Sequence, residues 1–132
     1  MQFALAIAAS LHVLSAVFWA GSNFAAARPS IPGERLFFPQ MGAALVAILS
    51  GGYLWSTLHA GSEGPMERAL EIGAISAIFA LLVQLVLAGP VVLRLRGAEA
   101  PQPPSSRVKL SNRLASLLLA LAAICMAAAR YQ

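Results

Sequence analysis

The sequence predicts an all-α fold, a transmembrane four-helix bundle, and three observations predict it. The 132 residues are 59% hydrophobic and 11% charged, with a mean hydropathy of +0.76, far from the soluble average. Four uncharged stretches, about 3–27, 36–58, 72–93 and 114–129, each reach or approach the ~20 residues that cross a ~30 Å hydrocarbon core as helix. Ala and Leu run continuously through them, whereas a β-barrel would alternate over ~10-residue segments. One membrane domain, 1–132, is expected, with helices over about 3–27, 36–59, 66–96 and 107–130.

The first helix begins without a basic n-region, and its apolar run exceeds the ~7 to 15 residues of a secretory h-region. Ala25-Ala26-Ala27 is therefore not expected to be cleaved, and residues 1–27 stay in the fold. Arg28-Pro29-Ser30-Ile31-Pro32-Gly33 makes the turn into helix two. His59 to Pro65 forms the second turn, and Pro65 followed by Glu67 suits the first turn of helix three, where a carboxylate complements the dipole. Gly97 to Ser106, with three prolines, is the longest connector, and Ser105 or Ser106 is the expected cap of helix four. The two hairpins show no internal repeat.

The net charge of +4 and the pI of about 10.2 do not point to nucleic acid, because the basic residues mark topology. With both termini on one side, the first and third loops hold Arg28, Arg35, Arg94, Arg96, Arg107, Lys109 and Arg113, seven of the nine cations. Arg68 and Arg130 share the other side with Glu63, Glu67 and Glu71. The positive-inside rule then places the basic loops in the cytoplasm and both termini on the outer, periplasmic side of an inner membrane.

Polar residues in such helices face protein, so their spacing reveals the interior. His12, Ser15, Trp19 and Asn23 fall at i, i+3, i+7 and i+11, a single stripe on helix one. On helix two, Ala43, Ala47 and Gly51 form a small-residue ridge, with Ser50, Tyr53, Ser56 and Thr57 toward the outer half. Helix three offers Ser76 and Gln84, and helix four Ser111, Asn112 and Ser116, all read as interhelical glue. Lone Cys125 reads as a small buried hydrophobe.

His12 is the informative residue, because an ionisable group inside hydrocarbon marks a functional site by default. Three readings are open: a neutral imidazole bonded to a hydroxyl such as that of Ser56, a ligand to haem or a metal ion, or a proton-transfer group. His59 is the obvious second ligand, but His12 lies ~13 to 15 Å below the outer surface and His59 close to it. Tyr53 is nearer His12 in depth. Trp55, Tyr131 and His59 read first as interfacial residues. Met1, His59, Met66, Cys125 and Met126 gather soft ligands suited to Cu(I) near the outer ends, without motif spacing.

The segment Leu11-His12-Val13-Leu14-Ser15-Ala16-Val17-Phe18-Trp19-Ala20-Gly21 resembles the first-helix signature of the CopD/HemJ-like membrane proteins, with a histidine, a tryptophan seven residues later and a glycine close behind. Arg113-Leu114-Ala115 through Met126-Ala127-Ala128-Ala129-Arg130-Tyr131 is similar to the last helix of their small members. The resemblance implies a haem b site at His12 and a porphyrinogen oxidoreductase activity, or a copper-related role. The helix-three lysine of the oxidase pattern has no counterpart: the polar positions there are Glu67, Arg68, Glu71, Ser76 and Gln84.

The combined expectation is membrane redox chemistry with haem b or a metal ion on His12, with His59 a further candidate metal ligand. Trp19 would pack the cofactor or a neighbouring helix, and Tyr53 and Asn23 would adjust hydrogen bonding. A porphyrin or other lipophilic molecule is the expected substrate, the lipid bilayer the surroundings, and a homo-oligomer sharing the site the expected assembly. The alternatives are copper or cation transport, with Glu63, Glu67 and Glu71 gathering cations, and a cofactor-free structural subunit that docks through the helix-two ridge.

Overall fold

The computed structural model describes residues 1–97 and 105–132, so most of the proline-rich connector expected over 97–106 lies outside the described residues. Helix α1 spans Gln2–Ala26 and α2 Gly33–Leu58. Next come α3, Pro65–Val83, a π-helical turn, Gln84–Ala88, and α4, Gly89–Arg96, which together form one crossing. Helix α5 runs from Ser106 to Ala129. Four helices are thus long and apolar enough to cross a membrane, and no strand occurs among the described residues. This is a multi-pass membrane protein.

Its outer face is made of Leu, Ile, Val and Phe, including Phe3, Val17, Leu49, Val86, Leu117 and Ile124, all more than half exposed. In water such a surface would aggregate; in lipid it costs nothing to leave bare, and packing of small residues holds the helices together instead. Ala44, Ala47, Ala80 and Ala115 are almost fully buried around Trp19 and Leu119. A second cluster, Phe37, Ala88, Val92 and Val108, closes the end that carries the basic loops.

Helix α1 packs along α2 and α3 along α5, and α1 against α5 joins the two pairs. Gly73 sets the closeness of α3 and α5: a Cβ there would stand 3.1 Å from the Ala122 carbonyl oxygen. The Ser76 hydroxyl bridges the same pair, donating to the Leu118 carbonyl at 2.8 Å. Helices α2 and α3 scarcely touch.

Three local features depart from expectation. The third crossing is interrupted by the π-turn immediately before Gly89-Pro90. Pro90 has no N–H, and its ring crowds the carbonyl four residues back, so a widened turn just upstream accommodates both. At the start of α5, neither Ser105 nor Ser106 caps with its side chain. Glu34 of α2 does it instead, its Oε1 accepting the Ser105 backbone N–H at 3.0 Å. A carboxylate at a helix N-terminus satisfies an orphan donor and the dipole together, which a serine hydroxyl does less well. The hydroxyls of Ser50, Ser56 and Thr57 do not bridge helices; they donate to carbonyls three or four residues back in α2.

Glu67 behaves as its position in the first turn of α3 predicts. It is buried, and its carboxylate folds over Gly64, where a Cβ would meet Oε2 at 2.8 Å. That placement sets the negative charge against the exposed N–H groups of the helix start.

Candidate functional site

Two polar assemblies lie inside the bundle, and both begin on the α1 stripe. The larger is a carboxamide network that ties all four crossings. Trp19 Nε1 donates to Gln84 Oε1 at 2.6 Å. The Gln84 amide donates to Asn23 Oδ1 at 2.8 Å and to Gln40 Oε1 at 2.9 Å. Gln40 Nε2 then donates to Asn112 Oδ1 at 3.3 Å, and Asn112 Nδ2 ends the chain on the Val108 carbonyl at 2.9 Å.

One atom dictates every amide orientation in that network. An indole N–H can only donate, so the Gln84 atom facing Trp19 is oxygen. Its nitrogen must then face Asn23 and Gln40, which present oxygens, and the Gln40 nitrogen is turned toward Asn112. The Asn23 nitrogen is left to the Trp19 carbonyl, 2.8 Å away. No buried side-chain nitrogen or oxygen among the described residues lacks a partner. Each member is at most 2% exposed, so the network holds no ionisable group and no open position for a ligand.

His12 belongs to the second assembly. Its Nδ1 lies 2.8 Å from the Ala47 carbonyl oxygen of α2, not against Ser56, whose hydroxyl is taken by the Tyr53 carbonyl. A carbonyl oxygen only accepts, so Nδ1 carries a proton, and Nε2 is the ring nitrogen left outside this bond. The ring lies on Gly51, where a Cβ would come within 2.9 Å of Cε1 and 3.1 Å of Nδ1. Gly51 and Ala47 of the small-residue ridge are therefore the seat of this imidazole, and that ridge faces α1. His12 is half-buried, and Nε2 has no protein partner among the described residues. It lies two residues from the midpoint of α1, about 3 Å along the axis, so the free nitrogen sits near the middle of the crossing.

The remaining predicted residues are spread along the bundle. Trp19 and Asn23 share the His12 stripe but lie about 10 and 16 Å further along α1, committed to Gln84. Tyr53 is 42% exposed, and its carbonyl accepts the Ser56 and Thr57 hydroxyls. His59 caps the other end of α2, stacked on Trp55 with ring centroids 5.5 Å apart. It is eight residues beyond Gly51, about 12 Å from the level of His12. Cys125 and Met126 pack against Gly73 of α3. Among the described residues no three His, Cys, Asp or Glu side chains converge to hold a metal ion.

Gln40 is the functional-looking residue that sequence reasoning passed over. The signal was present: Gln40, Ala44 and Ala47 stand at i, i+4 and i+7, so the amide shares the small-residue face of α2. Against known proteins, no family model, no curated protein and no solved structure matches this chain.

Proposed function

We propose that the chain is a CopD/HemJ-like inner-membrane protein in which His12 is the ligand residue of a membrane redox site, presenting Nε2 to the iron of haem b. The observation that carries this reading is the Nδ1–H bond to the Ala47 carbonyl. Metal-bound histidines are held by this arrangement, in which the second ring N–H is fixed on a backbone carbonyl while the other nitrogen stays basic and oriented. In hydrocarbon an unbonded imidazole nitrogen is costly, so a site that leaves one available near the midplane is explained by a ligand that uses it.

The donor fits haem or a single metal ion; the enclosure is incomplete in one copy. His12 lies on the α1–α2 seam, and Gly52 beside it is exposed with open space above its Cα. In one copy the group would be held by His12 alone, seated on Ala47 and Gly51, and a homo-oligomer would complete the enclosure. When bound, haem b supplies one-electron redox chemistry. The chain's own residues orient the imidazole, hold its proton on Nδ1 and, through the Trp19–Gln84 network, fix the register of α1 that sets His12 at mid-depth. The charge asymmetry supports cytoplasmic basic loops and outer termini.

The test is an optical spectrum, oxidised and reduced, of protein purified in detergent after expression with ample haem, with metal analysis of the same sample. A Soret band in the wild type that is lost in His12→Ala supports the reading. A wild type without a band after haem reconstitution overturns it.

A further inference from the structure

We propose that the surface where α4 meets α2, at the basic-loop end, is a binding site for one anionic phospholipid, its phosphodiester taken by Arg96 beside the Phe38 ring. Seven of the nine cations lie at this end, and the one carboxylate there among the described residues, Glu34, is committed to the Ser105 N–H. Arg96, the last residue of α4, reaches across to α2 and holds its guanidinium over Phe38, 4.3 Å from the ring centroid.

That resting place is built from the core outward. Phe37 is buried in the cluster with Ala88, Val92 and Val108, and its ring meets Phe38 edge to face with centroids 5.3 Å apart. Phe38 itself is 42% exposed, so its ring is fixed on one side and open to the surroundings on the other. The ring attracts the charge without matching the forked N–H donors of the guanidinium, which suit the paired oxygens of a phosphodiester.

The occupant is a lipid and not a soluble phosphate, because the surface next to this cation is apolar. Arg35, Phe38, Gly42 and Leu45 fall at i, i+3, i+7 and i+10, one exposed face of α2, opposite buried Phe37, Gln40 and Ala44. Gly42 and Leu45 lie about 6 and 10 Å from Phe38 toward the middle of the crossing, and a Cβ on Gly42 would meet nothing within 4 Å. Leu93, one turn before Arg96 on α4, is exposed as well. A free phosphate gains only the charge, whereas a phospholipid gains the charge with its chains already against α2. The excess of arginines selects a headgroup of net negative charge over a zwitterionic one. The site shares no residue with the His12 seat and is independent of any cofactor there.

The full chain is placed in nanodiscs that contain the same fraction of dibrominated phosphatidylglycerol or of dibrominated phosphatidylcholine. Phe38→Trp keeps an aromatic platform under Arg96 and, combined with Trp55→Phe, leaves sealed Trp19 as a constant background. The reporter indole should be quenched more strongly by the anionic lipid, and Arg96→Gln should lower that preference about fivefold, the scale of one basic group at an anionic surface. Arg113→Gln removes an equal charge at the same end from the outward face of α5, whose buried side is Ser111, Asn112 and Ala115, and should leave the preference unchanged. Equal quenching by the two lipids overturns the proposal. A loss in Arg113→Gln as large as in Arg96→Gln assigns the preference to the general field of the basic end and overturns it too. The chain without the reporter should retain phosphatidylglycerol over phosphatidylcholine in native mass spectrometry and lose that selectivity in Arg96→Gln; selectivity that survives the substitution refutes the site.

Discussion

Replacing Gln84 by Leu tests the carboxamide network at its hub. The two side chains are close in volume, so the substitution removes polarity with little cavity formation. Three interhelical hydrogen bonds disappear together: one from Trp19 and the two given to Asn23 and Gln40. Measured bonds of this kind between membrane helices are worth about 0.6 to 1.7 kcal/mol each, so the loss should be about 2 to 5 kcal/mol. The assay is unfolding in maltoside micelles by increasing dodecyl sulfate, followed by far-UV circular dichroism and by the emission shift of Trp19 as it loses its partner. Ser116→Ala is the control, because that hydroxyl only returns to the Arg113 carbonyl of its own helix. A second Gln40→Leu substitution should cost less in the Gln84→Leu background than alone, since an acceptor already orphaned is then removed. If Gln84→Leu unfolds within about 0.5 kcal/mol of wild type, the amides do not hold the helices together and the register argument for His12 fails with them.

Three further outcomes follow from the geometry. Gly51→Ala puts a methyl 2.9 Å from His12 Cε1 and must push the ring off Ala47, so nitrogen-15 spectra of the imidazole should lose the Nδ1–H tautomer seen in wild type; an unchanged tautomer contradicts the seating. Gly73→Ala should destabilise by about 1 to 3 kcal/mol because the obstacle is the Ala122 carbonyl and backbone must move, whereas Gly42→Ala, with nothing within 4 Å, should be neutral or mildly stabilising in the same unfolding titration. Glu34→Ala should cost about 0.5 to 2 kcal/mol through the lost cap on Ser105, and Glu34→Gln should recover part of it; faster amide exchange at the start of α5 in the alanine variant alone is the signature.

What could be read from the sequence tracks what is local. Four spans follow from hydropathy, and the helix limits differ from expectation by three residues at most, as where α2 starts at Gly33 and not at residue 36. The inward face of α1 is equally readable: the His12, Trp19 and Asn23 spacing marks it, and Trp19 and Asn23 are buried. Partners are not readable, because they depend on which helices are neighbours and at what height. His12 meets a backbone carbonyl that any residue at position 47 would supply, so no side-chain pattern announces it. Glu34 caps a helix that begins seventy-two residues later, a relation set only by how α2 meets α5. The π-turn escapes for another reason: hydropathy counts residues along an axis and cannot register one extra residue in a turn.

The division of labour between the two polar assemblies follows from the solvent. In hydrocarbon a charge must be paid for by pairing or by ligation, but carboxamides can satisfy one another without any ion being desolvated. Trp19, Gln84, Asn23, Gln40 and Asn112 do so completely, and their donors and acceptors are spent on each other and on backbone carbonyls. A network so saturated can fix helix positions but cannot accept a proton, bind a metal or hold a substrate without breaking itself. His12 is built the other way, with one nitrogen anchored and one unspent. If His12 is the ligand residue proposed above, chemistry along this inner stripe falls to its Nε2, and a variant that kills function through the carboxamides should do so by shifting α1, leaving the His12–Ala47 bond as the first thing to measure.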